Sequence, residues 1–446
     1  MAGVCAGSTE VRRLAWRASP AEAIARWPVG EPLAALIGAD ARGVGGRWSI
    51  LARPGPSATS WPAVREALSP SPRAGRVATP NDPPLRSGWI GWLGYELGGV
   101  IEPAAGTFPA AVPVARLYRC EGALAHDSAT GAWFSVGDPA AIPPIELAGP
   151  ARSPDNHAVG PLLADGGDAR ARATHEAMVH RALEHIRAGD VFQVNLTRRL
   201  RAEFAGSPRA LFLHLLNATA PAYGALVEGP AAGEAVVSLS PELFLRVDAG
   251  TGRVVTRPIK GTAPGSAPPD RLAASAKDAA ELAMIVDLMR NDLGRVCEYG
   301  SVRVTDARSI ERHGSRDRRA GVWHGVATVE GRIRAGATVA DLVEASFPAG
   351  SITGAPKIRA MQIIAELERS PRGPHYGAVG FVGDDGAAVM SVAIRTAVVR
   401  GGALEYAVGG GIVAGSEPSA EWAETEAKAA GLRRALARAA PTGRPG

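Results

Sequence analysis

Apolar positions follow two rhythms along this chain, and each change of rhythm marks an element. Val179, Leu183 and Ile186 stand at i, i+4 and i+7, the buried face of a helix that Gly189 stops. The next stretch, VFQVNLTRRL, alternates instead. Phe192, Val194 and Leu196 fall on one face and Gln193, Asn195 and Thr197 on the other, which predicts a half-buried strand with a polar face. Strand-like runs follow at EAVVSLS, LFLRV and RVVTRPI. Helical spacing predicts one long helix over residues 270–291, another over 357–369 and a last one over 419–438, with strands near 376–383 and 387–399. Earlier, residues 88–99 (GWIGWLGYELGG) read as a strand and turn with aromatic packing. Residues 146–169, rich in Pro, Gly and Asp, make the best linker, dividing an N-terminal domain (1–145) from a C-terminal one (170–440). The terminal APTGRPG reads as a frayed tail. Strands and helices mixed without regular βαβ spacing predict an α+β fold built on antiparallel sheet.

Composition narrows the class. The chain has 446 residues, 46% of them hydrophobic, enough for a sizeable core. A net charge of +5 with no basic block argues against a nucleic-acid partner. Three distant cysteines without a C-x-x-C pair argue against a disulfide scaffold or zinc site and fit a reducing, cytoplasmic setting. No apolar run approaches the roughly 18 residues that span a bilayer, and the N-terminus lacks an apolar signal core, so neither a membrane nor secretion is expected. Lysine occurs only at 260, 277, 357 and 428 among 49 Lys and Arg. Lysine can lose its proton and act as a nucleophile where arginine cannot, so each position carries weight.

Four segments hold candidate chemistry. In RPIKGTAPG, residues 257–265, Pro258 imposes an extended entry and Gly261 frees the backbone just after Lys260. Lys260 is then either an exposed hairpin lysine or a tethered functional amine, and the scarcity of lysine favours the second. Asp278 and Glu281 share a helix face at i, i+3, as do Glu421 and Glu424, with Lys428 beyond. These pairs are either solvated faces or, if the helices face one another, four carboxylates around a hard divalent cation such as Mg²⁺. In FPAGSITGAPKIRAMQIIAELE, residues 347–368, Ser351, Thr353 and Gly354 precede Pro356 at the first position of a helix. That N-terminus is either simply well capped or an anion site. AVGGGIVAGSEP, residues 407–418, lacks the order of a dinucleotide loop, yet Gly409, Gly410 and Gly411 would let a ligand approach bare backbone. Arg395, on the strand predicted through SVAIRT, suits a bidentate carboxylate or a structural ion pair. Together these features describe a small dianionic substrate held by Mg²⁺, Arg395, a helix N-terminus and a glycine run, with Lys260 at its ring or carbonyl.

GDVFQVNLTRRL, SLSPELFL, RPIKGT, AAELAMIVDLMRNDLGRV, FPAGSITGAPK, YGAVGF, SVAIRT, GGGIVAGSEP and EWAETEAK run in order from about residue 189 to 430. They closely resemble the chorismate-utilising enzymes: the first components of anthranilate and aminodeoxychorismate synthases, and the isochorismate and salicylate synthases. GWIGWLGYEL and WSILARP resemble the partner domain of the component I enzymes. The resemblance implies large antiparallel sheets packed as a sandwich with helices outside.

Within the family, water-activating members place Lys where this chain has Gln193, which argues against water as nucleophile. Anthranilate synthases typically read PIAGT where this chain reads PIKGT, a mark of aminodeoxychorismate synthase. The resemblance then implies that Lys260 forms a covalent adduct with chorismate, that Glu242 is the acid/base, and that His324 is a catalytic residue near the ring. It implies Mg²⁺ on Glu281 and Glu424, with Asp278 and Glu421 reaching its waters. Arg395 and Tyr376 would hold the enolpyruvyl carboxylate, and Thr353, Gly261, Thr262, Lys428 and the three glycines would complete the anion site. The product is 4-amino-4-deoxychorismate, the precursor of p-aminobenzoate and folate. No cysteine lies in a G-x-C-x-G turn, so ammonia is expected from a separate glutaminase subunit. The alternatives are an anthranilate synthase component I carrying an unusual lysine, or a silent homologue acting as a binding partner.

Overall fold

A computed structural model describes residues 11–38, 46–70, 82–109, 113–145, 156–164, 166–314 and 321–437. Cys5, residues 146–155 of the expected linker and the APTGRPG tail lie outside the described residues. Among the described residues the strands form two antiparallel sheets, one of 13 strands and one of 10. The larger runs from Val11–Leu14 through Ala34–Gly38, Tyr223–Glu228 and Ala403–Val413 to Gln193–Gly206 and its flanking short strands. The smaller runs from Ile259–Pro264 through Val322–Arg332, Leu243–Val247, Ala388–Val392 and Ala378–Gly383 to Gly88–Leu93 and Ala115–Cys120. Trp92, Tyr118 and Val379 of the smaller sheet pack on Ala225, Val227 and Val236 of the larger, so the sheets face one another.

Helices cover the outside. Ala23, Ile24, Leu211, Phe212 and Leu432 pack on the larger sheet, while Leu282, Ile285, Met289, Leu342 and Ile363 cover the other core. The fold is therefore the expected sheet sandwich with helices outside.

The boundary read between an N-terminal and a C-terminal domain does not separate two sets of sheets. Ala34–Gly38 pairs with Tyr223–Glu228, and Gly88–Leu93 pairs with Ala378–Gly383. Each sheet thus takes strands from both sides of residues 146–169. What is described of that stretch includes His157–Val159 and Leu163–Ala164, which pair with Gln193–Gly206.

Several elements depart from the pattern-based reading. The helix expected over 270–291 is two, Pro269–Ala273 and Ala276–Gly294, because the Ser275 hydroxyl accepts from the Asp278 N–H and starts the second one. The strand expected over 387–399 is also two, Ala388–Val392 and Thr396–Arg400. Pro356 is the N-cap of Lys357–Glu368, one position before the place expected for it. Gln193–Gly206 begins with both faces buried: Gln193, Asn195 and Thr197 are as enclosed as Val194 and Leu196, while Phe192 precedes the strand and is 72% exposed.

Lys357 and Asp292 join the helices Lys357–Glu368 and Ala276–Gly294, with Nζ 2.7 Å from Oδ2, the Asp292 side chain buried and that of Lys357 largely so. Nζ also donates to the Ser346 carbonyl at 2.6 Å. Removing one partner strands a buried charge. Lys357→Ala should cost about 3–5 kcal/mol in urea unfolding, and the double replacement with Asp292→Asn much less. A single variant within about 1 kcal/mol of wild type would show that the pair does not hold these helices.

Candidate active site

The cluster forms where the ends of both sheets meet the helices Ala276–Gly294 and Pro418–Ala437. Lys260 lies on Ile259–Pro264, the outer strand of its sheet, and its Nζ is 2.7 Å from Glu281 Oε2. The next residue, Gly261, has φ +84°, and a Cβ there would come within 2.9 Å of Asp278 Cγ. Only glycine lets this strand turn so tightly against the helix.

The glycine run opposes Gln193–Gly206, with Gly411 across from Asn195 and Gly409 across from Thr197. A Cβ on Gly411 would meet Lys260 Nζ at 2.7 Å, and one on Gly409 would meet Tyr376 Oη at 2.9 Å. On Gly410 it would lie 3.3 Å from Glu421 Oε2 and 3.6 Å from Glu424 Oε1. The run makes room for the functional groups of three other elements, beyond baring its own backbone.

Asp278 lies against Gly261, and the other three acids already have partners. Glu281 pairs with Lys260, Glu424 with Lys428 at 2.8 Å, and Glu421 accepts from Ser416 at 2.6 Å. Burial pushes Glu421 above its ordinary value, and the charge of Glu424 adds to this. Burial opposes the charge of Glu424 as well, but Lys428, Lys260 and Lys277 together outweigh it and hold that acid low. Among the described residues no three acid, histidine or cysteine side chains converge as metal ligands. The cations against the acids are the ammonium groups of Lys260 and Lys428. The donor set itself consists of hard carboxylate oxygens, one of them destabilised by a like charge, and suits Mg²⁺.

Glu242 is 4% exposed and accepts a 2.6 Å hydrogen bond from Ser351 Oγ. Burial pushes its carboxyl up to about 7, against that hydrogen bond and the nearby charges of Lys260 and Arg395. It can therefore carry a proton near neutrality, as a general acid must.

Arg395 stands between strands in a left-handed turn with φ 50°, and not on a strand as its alternation predicted. It is exposed to solvent, and its Nη2 lies 3.3 Å from His324 Nε2. His324 lies opposite Thr262 on the neighbouring strand, and its Nδ1 is 3.0 Å from Thr262 Oγ1. Burial first, then Arg395 and His313, hold it well below its ordinary value. Lys428 also donates to the Gly409 carbonyl.

The Thr353 hydroxyl faces its own loop, donating to the Ala349 carbonyl at 3.0 Å, while its carbonyl accepts from the Asn195 N–H. Its side chain therefore secures the loop and offers no free donor to an anion.

Pattern reading missed the hub behind the site. Arg372, 3% exposed, donates to the carbonyls of Ile352 and Asn195 and pairs with Glu368 at 2.6 Å. Its guanidinium lies 4.4 Å from the Tyr95 ring and 5.0 Å from that of Tyr376, which itself has φ 61°. Glu96 accepts from the backbone N–H groups of Arg372 and Gly373. The GYEL segment thus helps to seat Tyr376. The only sequence signal was polar residues, Glu96 and Arg372, set among apolar and Gly/Pro neighbours.

Anthranilate synthase component 1 of Streptomyces coelicolor is 37% identical over 396 residues, covering 81% of this chain and 75% of that protein. Aminodeoxychorismate synthase of Streptomyces griseus is 42% identical over 266 residues, which cover 58% of this chain and 35% of that protein. The crystal structure of anthranilate synthase component I from Streptococcus pneumoniae superposes with a TM-score of 0.69 at 27% identity, over 87% of this chain and 92% of that one. The menaquinone-specific isochorismate synthase of Escherichia coli shares the fold, with a TM-score of 0.68 at 17% identity over 96% of this chain and 95% of that one. The family described as chorismate binding enzyme matches residues 39–434, which takes in every residue of the cluster, and the chain belongs to that family.

Proposed function

We propose that this protein converts chorismate and ammonia to 4-amino-4-deoxychorismate. The observation that carries the reading is Lys260, an amine held among the acids of the cluster within the electrostatic reach of a protonatable Glu242. The amine attacks C2 of the ring, forming a C–N bond while the double bonds shift and the C4–O bond breaks. Glu242 gives its proton to the departing oxygen, which leaves as water. Ammonia then adds at C4, the double bonds shift back, and the C2–N bond to Lys260 breaks.

Lys260 must first part from Glu281, because an amine donating into a carboxylate has no free lone pair. Glu281 and Glu424, with Asp278 and Glu421 behind them, would hold Mg²⁺, which supplies a positive charge to offset the substrate carboxylate. Arg395 and Tyr376 would meet the second carboxylate, alongside Lys428, Thr262 and the glycine backbone. A separate glutaminase subunit would supply the ammonia.

The second reading is anthranilate synthase component I, favoured by the Streptomyces coelicolor relative that covers 81% of this chain. Mass spectrometry of products after incubation with chorismate, Mg²⁺ and excess ammonium near neutral pH separates the two. Aminodeoxychorismate with its enolpyruvyl group intact is expected. Anthranilate with pyruvate would overturn the proposal in favour of the second reading. No turnover by folded protein with ammonium present would overturn both in favour of a silent homologue.

A further inference from the structure

His324 has all its hydrogen-bonding capacity assigned by its neighbours. Its Nε2 lies 3.3 Å from Arg395 Nη2, and a guanidinium can only donate. Nε2 must therefore offer a lone pair. The ring proton belongs on Nδ1, which faces two acceptors, Thr262 Oγ1 at 3.0 Å and the Gly261 carbonyl at 3.4 Å. Protonating Nε2 would set N–H against N–H. The other groups around the ring oppose a positive charge too. His313 stands edge-on at 5.3 Å, held by Glu311 at 3.4 Å, and Lys428 adds its charge. Arg395 needs such a restraint, because the backbone presents it from a left-handed turn and its side chain is exposed to solvent.

We propose that His324 is a neutral, Nδ1-protonated positioning residue whose Nε2 lone pair holds the Arg395 guanidinium ready for a substrate carboxylate, and that it moves no proton in the reaction. The role of Arg395 in this inference rests on the chorismate reading above. The assignment of His324 runs against the catalytic part that family resemblance implied for it.

The tautomer can be read without substrate. In protein labelled with ¹⁵N-histidine, the resonances lost in His324→Gln identify the ring among the nine histidines. A pyrrole-like Nδ1 and a pyridine-like Nε2, unchanged from about pH 6 to 8, are expected. A proton on Nε2, or a charged ring in that range, would overturn the proposal.

Kinetics supply the second arm. Gln can place an acceptor near the Nε2 position, whereas Asn places its polar atoms near Nδ1. His324→Asn should raise the KM for chorismate roughly tenfold or more with kcat and its pH profile little changed, and His324→Gln should recover most of that loss. A collapse of kcat in both variants at unchanged KM would mark a proton-transfer group and overturn the proposal. Wild-type protein that binds no chorismate would sink the functional reading, leaving the nitrogen spectra to decide the histidine.

Discussion

Lys260→Ala is expected to reduce aminodeoxychorismate formation at least about a thousandfold, because it removes the nucleophile and leaves the rest of the site intact. Nothing among the described residues offers a replacement amine at the same point. Lys277 Nζ is 3.9 Å from Glu281 on an exposed side chain, and Lys428 is committed to Glu424 and the Gly409 carbonyl. Wild-type protein quenched in acid after exposure to chorismate without ammonia should carry the mass of a dehydrated substrate adduct, and Lys260→Ala should not. Lys260→Ala with full activity would remove the covalent route altogether. Loss of activity with an adduct still formed would move the nucleophile to another residue. The replacement should fold, since Glu281 keeps Lys277 nearby and the Lys260 side chain is only partly enclosed.

Glu242→Gln should lower kcat by about a hundredfold to ten-thousandfold with a smaller effect on KM, the range for losing a placed general acid. The amide keeps the shape and can still accept from Ser351, so a fall in rate reports the proton itself. The sign of the pH dependence follows from the environment. The competent form is the acid, burial pushes its titration up to about 7, and activity tied to Glu242 should therefore fall as pH rises through that value. The Ser351 hydroxyl favours the carboxylate, so Ser351→Ala should move the alkaline limb to higher pH. A limb that stays in place in Ser351→Ala and persists in Glu242→Gln would assign it to another group.

Much of the cluster was legible because its constraints are local. Gly409, Gly410 and Gly411 stand together in the chain and serve one purpose, and each acidic pair is spaced by a single helix turn. The scarcity of lysine singled out Lys260 before any partner was known. What escaped reading is set by contacts distant in sequence. Alternation through SVAIRT predicts a continuous strand, but Tyr376 N–H bonds the Ala393 carbonyl and Leu239 N–H bonds the Arg395 carbonyl, so the segment turns. Alternation at Gln193, Asn195 and Thr197 suggests a polar face toward solvent, yet all three are buried, with the Gln193 amide lying beside Gly411 where Lys260 also reaches. Ser275 was hidden in an alanine-rich run that reads as unbroken helix. The Glu96–Arg372 contact joins positions 276 apart and leaves no periodic trace.

The two seams where early and late strands pair have a consequence for how such a chain can be inherited. Ala34–Gly38 must match Tyr223–Glu228 while Gly88–Leu93 matches Ala378–Gly383, in two different sheets at once. A recombinant joined at the Pro/Gly-rich stretch would have to satisfy both registers together, and a slip of one residue at either seam would turn apolar side chains outward. The proline-rich connection is therefore a poor crossover point despite its sequence, and parents would exchange halves successfully only if they already shared both seams.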